Sequence, residues 1–238
     1  MDRRTWIAFA AALLVGSVIA VFQMGGNAVA TAVRGPSLTP PLAKTAGTQD
    51  PPAAEAARPQ KVRDFSLGDG NAALEIVEYA SFTCPHCRRF HEEVFPKLKA
   101  EYIDTGKVKF TLREVYFDPY GLWAGMLARC GGGDRYFPIV DMIFRKQSEW
   151  TRGDGPAAVA ENLRKIGRLA GLSDEEIDTC LQDETKARAM VAAYQENATR
   201  DGINGTPTFI IGGEKVPNMA WPDLKEIIDR KLAEAGSR

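Results

Sequence analysis

The chain has 238 residues, of which 45% are hydrophobic and 26% are charged, a composition typical of a globular protein with one or two domains. Lys and Arg together number 30 and Asp and Glu 31, which gives a formal net charge of −1. The sequence has no long basic run that could neutralise a row of phosphates, which argues against nucleic acid as a partner.

The first thirty residues differ from the rest of the chain. Arg3 and Arg4 precede an apolar stretch over 6–22, and Ala28-Val29-Ala30 offers the small-x-small pattern that signal peptidases accept. The seventeen residues of the apolar stretch are slightly long for the hydrophobic region of a signal peptide and at the lower limit for a membrane span, so a cleaved signal and an uncleaved N-terminal anchor are both compatible with it. In either case the positive-inside tendency predicts that the rest of the chain lies outside the cytoplasm.

The folded part is predicted to begin near Lys61, after an Ala- and Pro-rich flexible linker over 31–60. Residues 74–80 are strand-like and lead into a helix whose apolar residues recur every four positions. Pro96 is expected to bend this helix. Alternation of apolar and polar residues over 107–112 predicts the next strand, which completes a β-α-β unit.

From about 118 to 202 the apolar period becomes that of helices, and Ser173 with Glu176 matches a capping box at the start of one of them. Residues 206–213 then predict a strand that ends in a Gly-Gly turn, with a returning strand over 214–216 and a last amphipathic helix. The order β-α-β, helices, β-β-α predicts an α/β fold with a mixed sheet and a helical insertion.

Cys84-Pro85-His86-Cys87 places two sulfur atoms within disulfide reach across one helical turn. The strand-to-helix junction predicts Cys84 at the helix N-terminus, where free N–H groups and the helix dipole favour a thiolate and should depress its pKa. Cys84 is therefore expected to be the reacting sulfur and Cys87 the resolving thiol. His86 is expected to donate to the Cys84 thiolate. Pro85 suits a first helical turn, and a purely structural role fits it equally well.

Three other interpretations of these cysteines are weaker. A zinc site needs four ligands, and the chain offers Cys84, Cys87 and one of His86 or His91, without a second close pair. Covalent haem attachment needs His directly after the second Cys, where this chain has Arg88. A purely structural disulfide would close a loop too small to stabilise the fold much. We therefore expect no metal and no cofactor, because the sulfur pair is itself the redox group.

Cys130 and Cys180 lie within the predicted helical block. Disulfides persist in the compartment that an exported chain reaches, so the simplest assignment is a structural disulfide between these two residues. The chain-entropy model credits such a bond with about 4 kcal/mol at this loop length. The alternative is an accessory redox pair that relays electrons.

The run Glu78-Tyr79-Ala80-Ser81-Phe82-Thr83-Cys84-Pro85-His86-Cys87, with Thr206-Pro207-Thr208 far downstream, resembles the bacterial DsbA family of thioredoxin-fold proteins. The similarity covers about 61–238. It implies a thioredoxin-like α/β fold with a helical insertion domain at about 118–202, and a thiol:disulfide oxidoreductase in the periplasm.

The resemblance also assigns roles to single residues. It implies that Pro207 is cis and that Thr206 and Pro207 bind an extended substrate peptide beside the disulfide, although Pro207 alone reads as a proline at a strand start. It implies that Glu78 is a buried carboxylate that helps Cys87 gain or lose a proton, against the alternative of an outward-facing strand residue. His91 is interpreted as a solvated helix residue, with tuning of the site as the alternative.

Thr206 departs from the valine of the best-known oxidase in this family and is more familiar in the DsbC and DsbG isomerases. Those isomerases carry an N-terminal dimerisation domain, for which residues 31–60 are too short and too unpatterned. A monomeric oxidase is therefore favoured over an isomerase.

The sequence thus predicts a periplasmic dithiol oxidase, soluble after signal cleavage or tethered by an uncleaved anchor. Reduced or unfolded secreted proteins would attack the Cys84–Cys87 disulfide at Cys84, and a membrane oxidase resembling DsbB would reoxidise the pair. The alternatives are an isomerase or reductase of the same fold, a Cys/His metal-binding module, and a chaperone-like peptide binder.

Overall fold

The computed structural model describes residues 62–237, so the predicted signal peptide or anchor and the predicted linker lie outside the described residues. The strands are β1 (Phe65–Leu67), β2 (Leu74–Ala80), β3 (Val108–Glu114), β4 (Thr208–Ile211) and β5 (Glu214–Pro217). The helices are α1 (Pro85–Arg89), α2 (Phe95–Leu98), α3 (Pro119–Cys130), α4 (Gly132–Arg145), α5 (Gln147–Trp150), α6 (Pro156–Leu169), α7 (Asp174–Leu181), α8 (Glu184–Arg200) and α9 (Trp221–Gly236). Within this range the structure contains no helix with the length and apolarity needed to cross a membrane.

The strands form one mixed sheet in the order β1-β3-β2-β4-β5. β2 and β3 are parallel, as a β-α-β unit requires, and β4 runs antiparallel to β2 on its other side. β2 is buried on both faces, since Ile76 belongs to the main core while Val77 packs in a second cluster with Tyr194 of α8. This central strand therefore gives the residues at its end a rigid base.

The sequence analysis did not predict β1. This strand has three residues and pairs antiparallel with β3, with Phe65 opposite Leu112. Three residues are too few to show a period-2 pattern, so the pairing depends on β3 and not on a local signal.

The helical segment after β2 is not a uniform α-helix. α1 continues through a π turn over Phe90–Val94 into α2, which is followed by a second π turn over Lys99–Ile103. Pro96 lies just after the first π turn, and it lacks the N–H that an α-helix would bond to the preceding turn. The structure thus shows a change of helical hydrogen bonding beside Pro96, and the expected bend itself stays a prediction.

Helices α3 to α8 form the insertion between β3 and β4, over residues 119–200, close to the predicted 118–202. The predicted apolar stripe of α4 lies in the core and consists of Tyr136, Ile139, Val140, Ile143 and Phe144. Ser173 and Glu176 form the predicted capping box at the start of α7. α4 packs on α1 and on the π turn that follows it, which brings the insertion against the end of β2.

Candidate active site

The Cys-x-x-Cys motif begins just after β2. Cys84 occupies the N-cap position of α1 in an extended conformation, with φ −80° and ψ 119°, and Pro85 lies in the first helical turn. The N–H of Arg88 donates to the Cys84 carbonyl at 3.2 Å and closes that turn. Cys84 is half-buried, Cys87 is fully buried, and both are free thiols in this structure. The first sulfur is therefore accessible and the second is covered.

The pKa of the Cys84 thiol is lowered to about 5. The largest cause is a hydrogen bond with the Cys87 side chain, which outweighs the opposite effect of partial burial, and contact with Thr206 lowers it further. The backbone N–H groups of Cys87 and His86 also contribute, because the first turn of a helix leaves its N–H groups without intrahelical partners. At neutral pH, Cys84 is therefore a thiolate.

His86 acts on Cys84 through its backbone. Its side chain is exposed, and Nδ1 accepts a hydrogen bond from the Arg89 guanidinium at 2.7 Å. None of the hydrogen bonds within residues 62–237 joins the imidazole to the Cys84 sulfur. The expected donation from the imidazole is not made here, because the ring pairs with Arg89 one turn further along the helix.

Cys87 has the opposite electrostatic environment. Its pKa is raised far above the ordinary thiol value because burial removes water from the thiolate, the hydrogen bond with Cys84 favours the protonated form, and the negative charge of Glu78 opposes a second one. Cys87 therefore remains a protonated thiol and stabilises the thiolate of Cys84.

A segment far along the chain completes the surroundings of Cys84. The Thr206–Pro207 peptide bond is cis, and the Cys84 Sγ lies 3.4 Å from the Thr206 carbonyl oxygen. Pro207 is buried at the start of β4, whose pairing with β2 places Thr208 opposite Tyr79. This antiparallel pairing is what brings the two predicted substrate-binding residues beside the motif.

Two further contacts fix the backbone around Cys84. Gln147, a buried residue of α5, donates from Nε2 to the carbonyl oxygens of Phe82 at 2.7 Å and Cys84 at 3.0 Å. Asp118, the N-cap of α3, accepts from the Thr83 hydroxyl at 2.5 Å. The sequence analysis named neither residue. Asp118 before Pro119 does carry a helix-start signal, whereas a single glutamine within a helix carries none.

A buried acid–histidine pair lies next to the motif helix. Glu78 has no exposed surface, and His91, in the π turn after α1, is 6% exposed. His91 Nε2 lies 2.8 Å from Glu78 Oε2, and the imidazole stacks on the Phe144 ring with centroids 4.1 Å apart. The interpretation of His91 as a solvated residue is wrong, because it lies four positions after Cys87 on the same buried helix face. The outward-facing alternative for Glu78 is excluded as well.

The remaining cysteines lie in the insertion. Cys130 and Cys180 are joined by a disulfide that links the end of α3 to α7. In the part of the chain that the structure describes, no three His, Cys, Asp or Glu side chains are grouped so that they could hold a metal ion. The expectation of a protein without metal or cofactor stays a prediction.

A stabilised thiolate next to a covered thiol at the start of a helix is the arrangement that thiol–disulfide exchange uses. The mixed sheet and this sulfur pair define a thioredoxin-fold dithiol protein. A family model described as Thioredoxin matches residues 60–230. The chain belongs to this family, among its DsbA-like thiol:disulfide oxidoreductases, and the predicted thioredoxin-like fold with a helical insertion is confirmed.

Individual relatives support this family assignment. The chain is 32% identical over 176 residues to a protein-disulfide oxidoreductase of Rickettsia bellii, which covers 74% of this chain and 67% of the relative. It is 27% identical over 175 residues to disulfide bond formation protein D of Bacillus subtilis, covering 70% and 76%. The crystal structure of alpha-DsbA1 from Wolbachia pipientis matches with a TM-score of 0.66 and 29% identity, over 72% of this chain and 92% of that one. The chain spans 61 to 67% of the length of such Rickettsia relatives.

Proposed function

We propose that this protein is a periplasmic dithiol oxidase that transfers its Cys84–Cys87 disulfide to reduced secreted proteins. The observation that carries the proposal is the pKa of Cys84, lowered to about 5 beside a thiol whose pKa is raised. Stabilising the thiolate stabilises the reduced form of the protein, and a dithiol protein whose reduced form is stabilised is a strong oxidant.

The reaction runs through a mixed disulfide. A substrate thiolate attacks Sγ of Cys84, a bond forms between the two sulfurs, and Cys87 leaves as a thiolate that takes up a proton. A second substrate thiolate then attacks the substrate sulfur of this mixed disulfide, so that the substrate becomes oxidised and Cys84 leaves as a thiolate. The low pKa of Cys84 makes it a better leaving group than an ordinary cysteine. Without a second substrate thiol, Cys87 attacks Cys84 and releases the substrate reduced.

Thr206 and Pro207 are proposed to hold the substrate chain. The Thr206 carbonyl is 3.4 Å from the reacting sulfur, so an extended peptide pairing with this backbone would place its cysteine at Cys84. A membrane oxidase resembling DsbB is proposed to reoxidise the protein, which acts as a monomer and needs neither metal nor another cofactor.

The reduction potential of the full-length protein tests the direction of transfer. After equilibration in glutathione buffers, alkylation and mass spectrometry give the fraction of Cys84–Cys87 that is oxidised. A potential near roughly −120 mV supports an oxidase, whereas one near −270 mV indicates a reductase and overturns the proposal. A Cys130→Ala/Cys180→Ala variant is the control for the second disulfide.

The position of Thr206 beside Cys84 favours a disulfide isomerase as the second candidate. Two assays with the same preparation separate these functions. An oxidase oxidises a reduced substrate stoichiometrically and leaves scrambled disulfides unchanged, whereas an isomerase reshuffles them catalytically. Cys84→Ser should abolish both activities, and activity that survives this substitution indicates a chaperone-like peptide binder.

A further inference from the structure

The reaction above gives His91 no role, although this histidine is buried against the carboxylate of Glu78. One carboxylate oxygen, Oε2, lies 2.8 Å from the imidazole Nε2. The other oxygen, Oε1, is buried and has no hydrogen-bond partner among the described residues. A buried polar atom without a partner is costly, so its presence points to a group that it meets during the reaction.

The Cys87 thiol is a suitable group. As the resolving thiol it must lose its proton before it can attack a mixed disulfide on Cys84. It is fully buried, and the negative charge of Glu78 raises its pKa. A thiolate formed beside an ionised Glu78 would put two negative charges in the interior. Transfer of the proton to Glu78 keeps a single negative charge there and avoids that cost.

The contact with His91 occupies Oε2 of Glu78 and leaves Oε1 free to receive the proton. When Glu78 is ionised, its carboxylate only accepts hydrogen bonds, so Nε2 of the imidazole is then the donor. The ring is held by a near-parallel stack on Phe144, with an interplanar angle of 16°, and by an edge contact with Phe90 at 5.5 Å. These contacts fix the imidazole, and the imidazole in turn fixes the carboxylate.

We propose that His91 is a positioning residue that holds Glu78 by Oε2 so that Oε1 takes and returns the proton of Cys87; this inference rests on the proposed dithiol function. The Cys87 S–H gives its proton to Oε1, and the thiolate attacks Sγ of Cys84. The Cys84–Cys87 disulfide forms as the bond to the substrate sulfur breaks, and the substrate leaves as a thiolate. In the opposite direction the proton returns from Glu78 to the departing Cys87.

The reaction of reduced full-length protein with one equivalent of dithiobis(nitrobenzoate) isolates this step. Attack by Cys84 releases a first coloured thionitrobenzoate, and attack by Cys87 on the resulting mixed disulfide releases a second. Stopped-flow absorbance follows both releases. The first release reports the reactivity of Cys84, on which the proposed function depends, and the second reports the deprotonation and attack of Cys87.

His91→Phe keeps an aromatic ring in place but removes the hydrogen bond, so it should slow the second release at least about tenfold and leave the first within about twofold. His91→Gln carries an amide N–H near the position of Nε2 and should keep the second release within about threefold of wild type. Glu78→Gln should slow the second release at least as much as His91→Phe. The double variant should be no slower than Glu78→Gln, because His91 acts through Glu78.

An unchanged second release in His91→Phe, or equal slowing in His91→Gln, would overturn the role of His91. If circular dichroism shows that His91→Phe does not fold, His91→Gln is compared with His91→Asn instead. The amide of Asn is one methylene too short to reach Glu78. The proposal is supported if the second release is slowed at least about tenfold in His91→Asn but not in His91→Gln. Equal rates of the second release in these two variants overturn it. Absence of the first release in wild type would instead overturn the proposed function.

Discussion

The strongest influence on the Cys84 thiolate is its hydrogen bond with Cys87, so Cys87→Ala should raise the pKa of Cys84 clearly above about 5. A hydrogen bond to a charged group contributes about 1.5 to 3 kcal/mol, and about 1.4 kcal/mol corresponds to one pKa unit. The backbone N–H groups of the first helical turn remain in the variant. The smaller Ala side chain also admits more water, which offsets part of the loss. We therefore expect a pKa between about 6 and 7.

Alkylation of Cys84 as a function of pH measures this change. The reduced protein is treated with iodoacetamide between about pH 3.5 and pH 9, and the modified Cys84 peptide is quantified by mass spectrometry, because only the thiolate reacts. In wild type the rate should stay near its plateau down to about pH 6, where a thiol with a pKa of about 5 is nine-tenths ionised. In Cys87→Ala the thiolate fraction at that pH should fall to about a quarter.

Cys87→Ser is the matched control, because its hydroxyl can still donate to the Cys84 thiolate. Its midpoint should stay closer to that of wild type than to that of Cys87→Ala. A wild-type midpoint near about 8.5, the value of an ordinary cysteine, would refute the assignment of Cys84 as a stabilised thiolate. Identical midpoints in wild type and Cys87→Ala would refute the hydrogen bond with Cys87 as the main cause.

Urea unfolding of further variants tests three features of the packing that supports the site. Glu114→Gln removes the charge opposite the buried Arg129 and should cost about 3 to 5 kcal/mol, most of which a Glu114→Leu/Arg129→Met double variant should recover. Cys130→Ala/Cys180→Ala removes a disulfide between residues 50 positions apart and should lower the free energy of unfolding by about 4 kcal/mol. An unchanged urea midpoint would contradict this. Gln147→Met removes the hydrogen bonds to the carbonyl oxygens of Phe82 and Cys84 and should lower the free energy of unfolding by about 1 to 3 kcal/mol, so an effect below about 0.5 kcal/mol would show that they contribute little.

The parts of the fold with strong local signals could be predicted from the sequence. The strand that ends before Cys84, the helical block near 118–202 and the Gly-Gly hairpin all follow from apolar periodicity and turn residues. The cis bond before Pro207 followed from resemblance to a family and not from its own sequence context. Local pattern therefore located the sulfur pair, while the segment facing it needed knowledge of related proteins.

The site residues that the sequence analysis misinterpreted or did not name depend on contacts between distant segments. His91 is followed in sequence by Glu92 and Glu93, which suggests a solvated helix face, yet its spacing from Cys87 places it on the buried side. That spacing was a usable signal, because positions four apart share a helix face. Gln147 offered no such signal. Its importance comes from carbonyl groups more than sixty residues earlier in the chain.

These contacts make the helical insertion part of the site. From one side, β2 supplies Glu78 and leads directly into Cys84. From the other side, the insertion holds the Cys84 carbonyl through Gln147 and the His91 imidazole through Phe144. The backbone at the thiolate and the group that positions the buried acid are therefore both fixed by the same block of helices. A thioredoxin-like sheet with the motif alone would lack both of these supports.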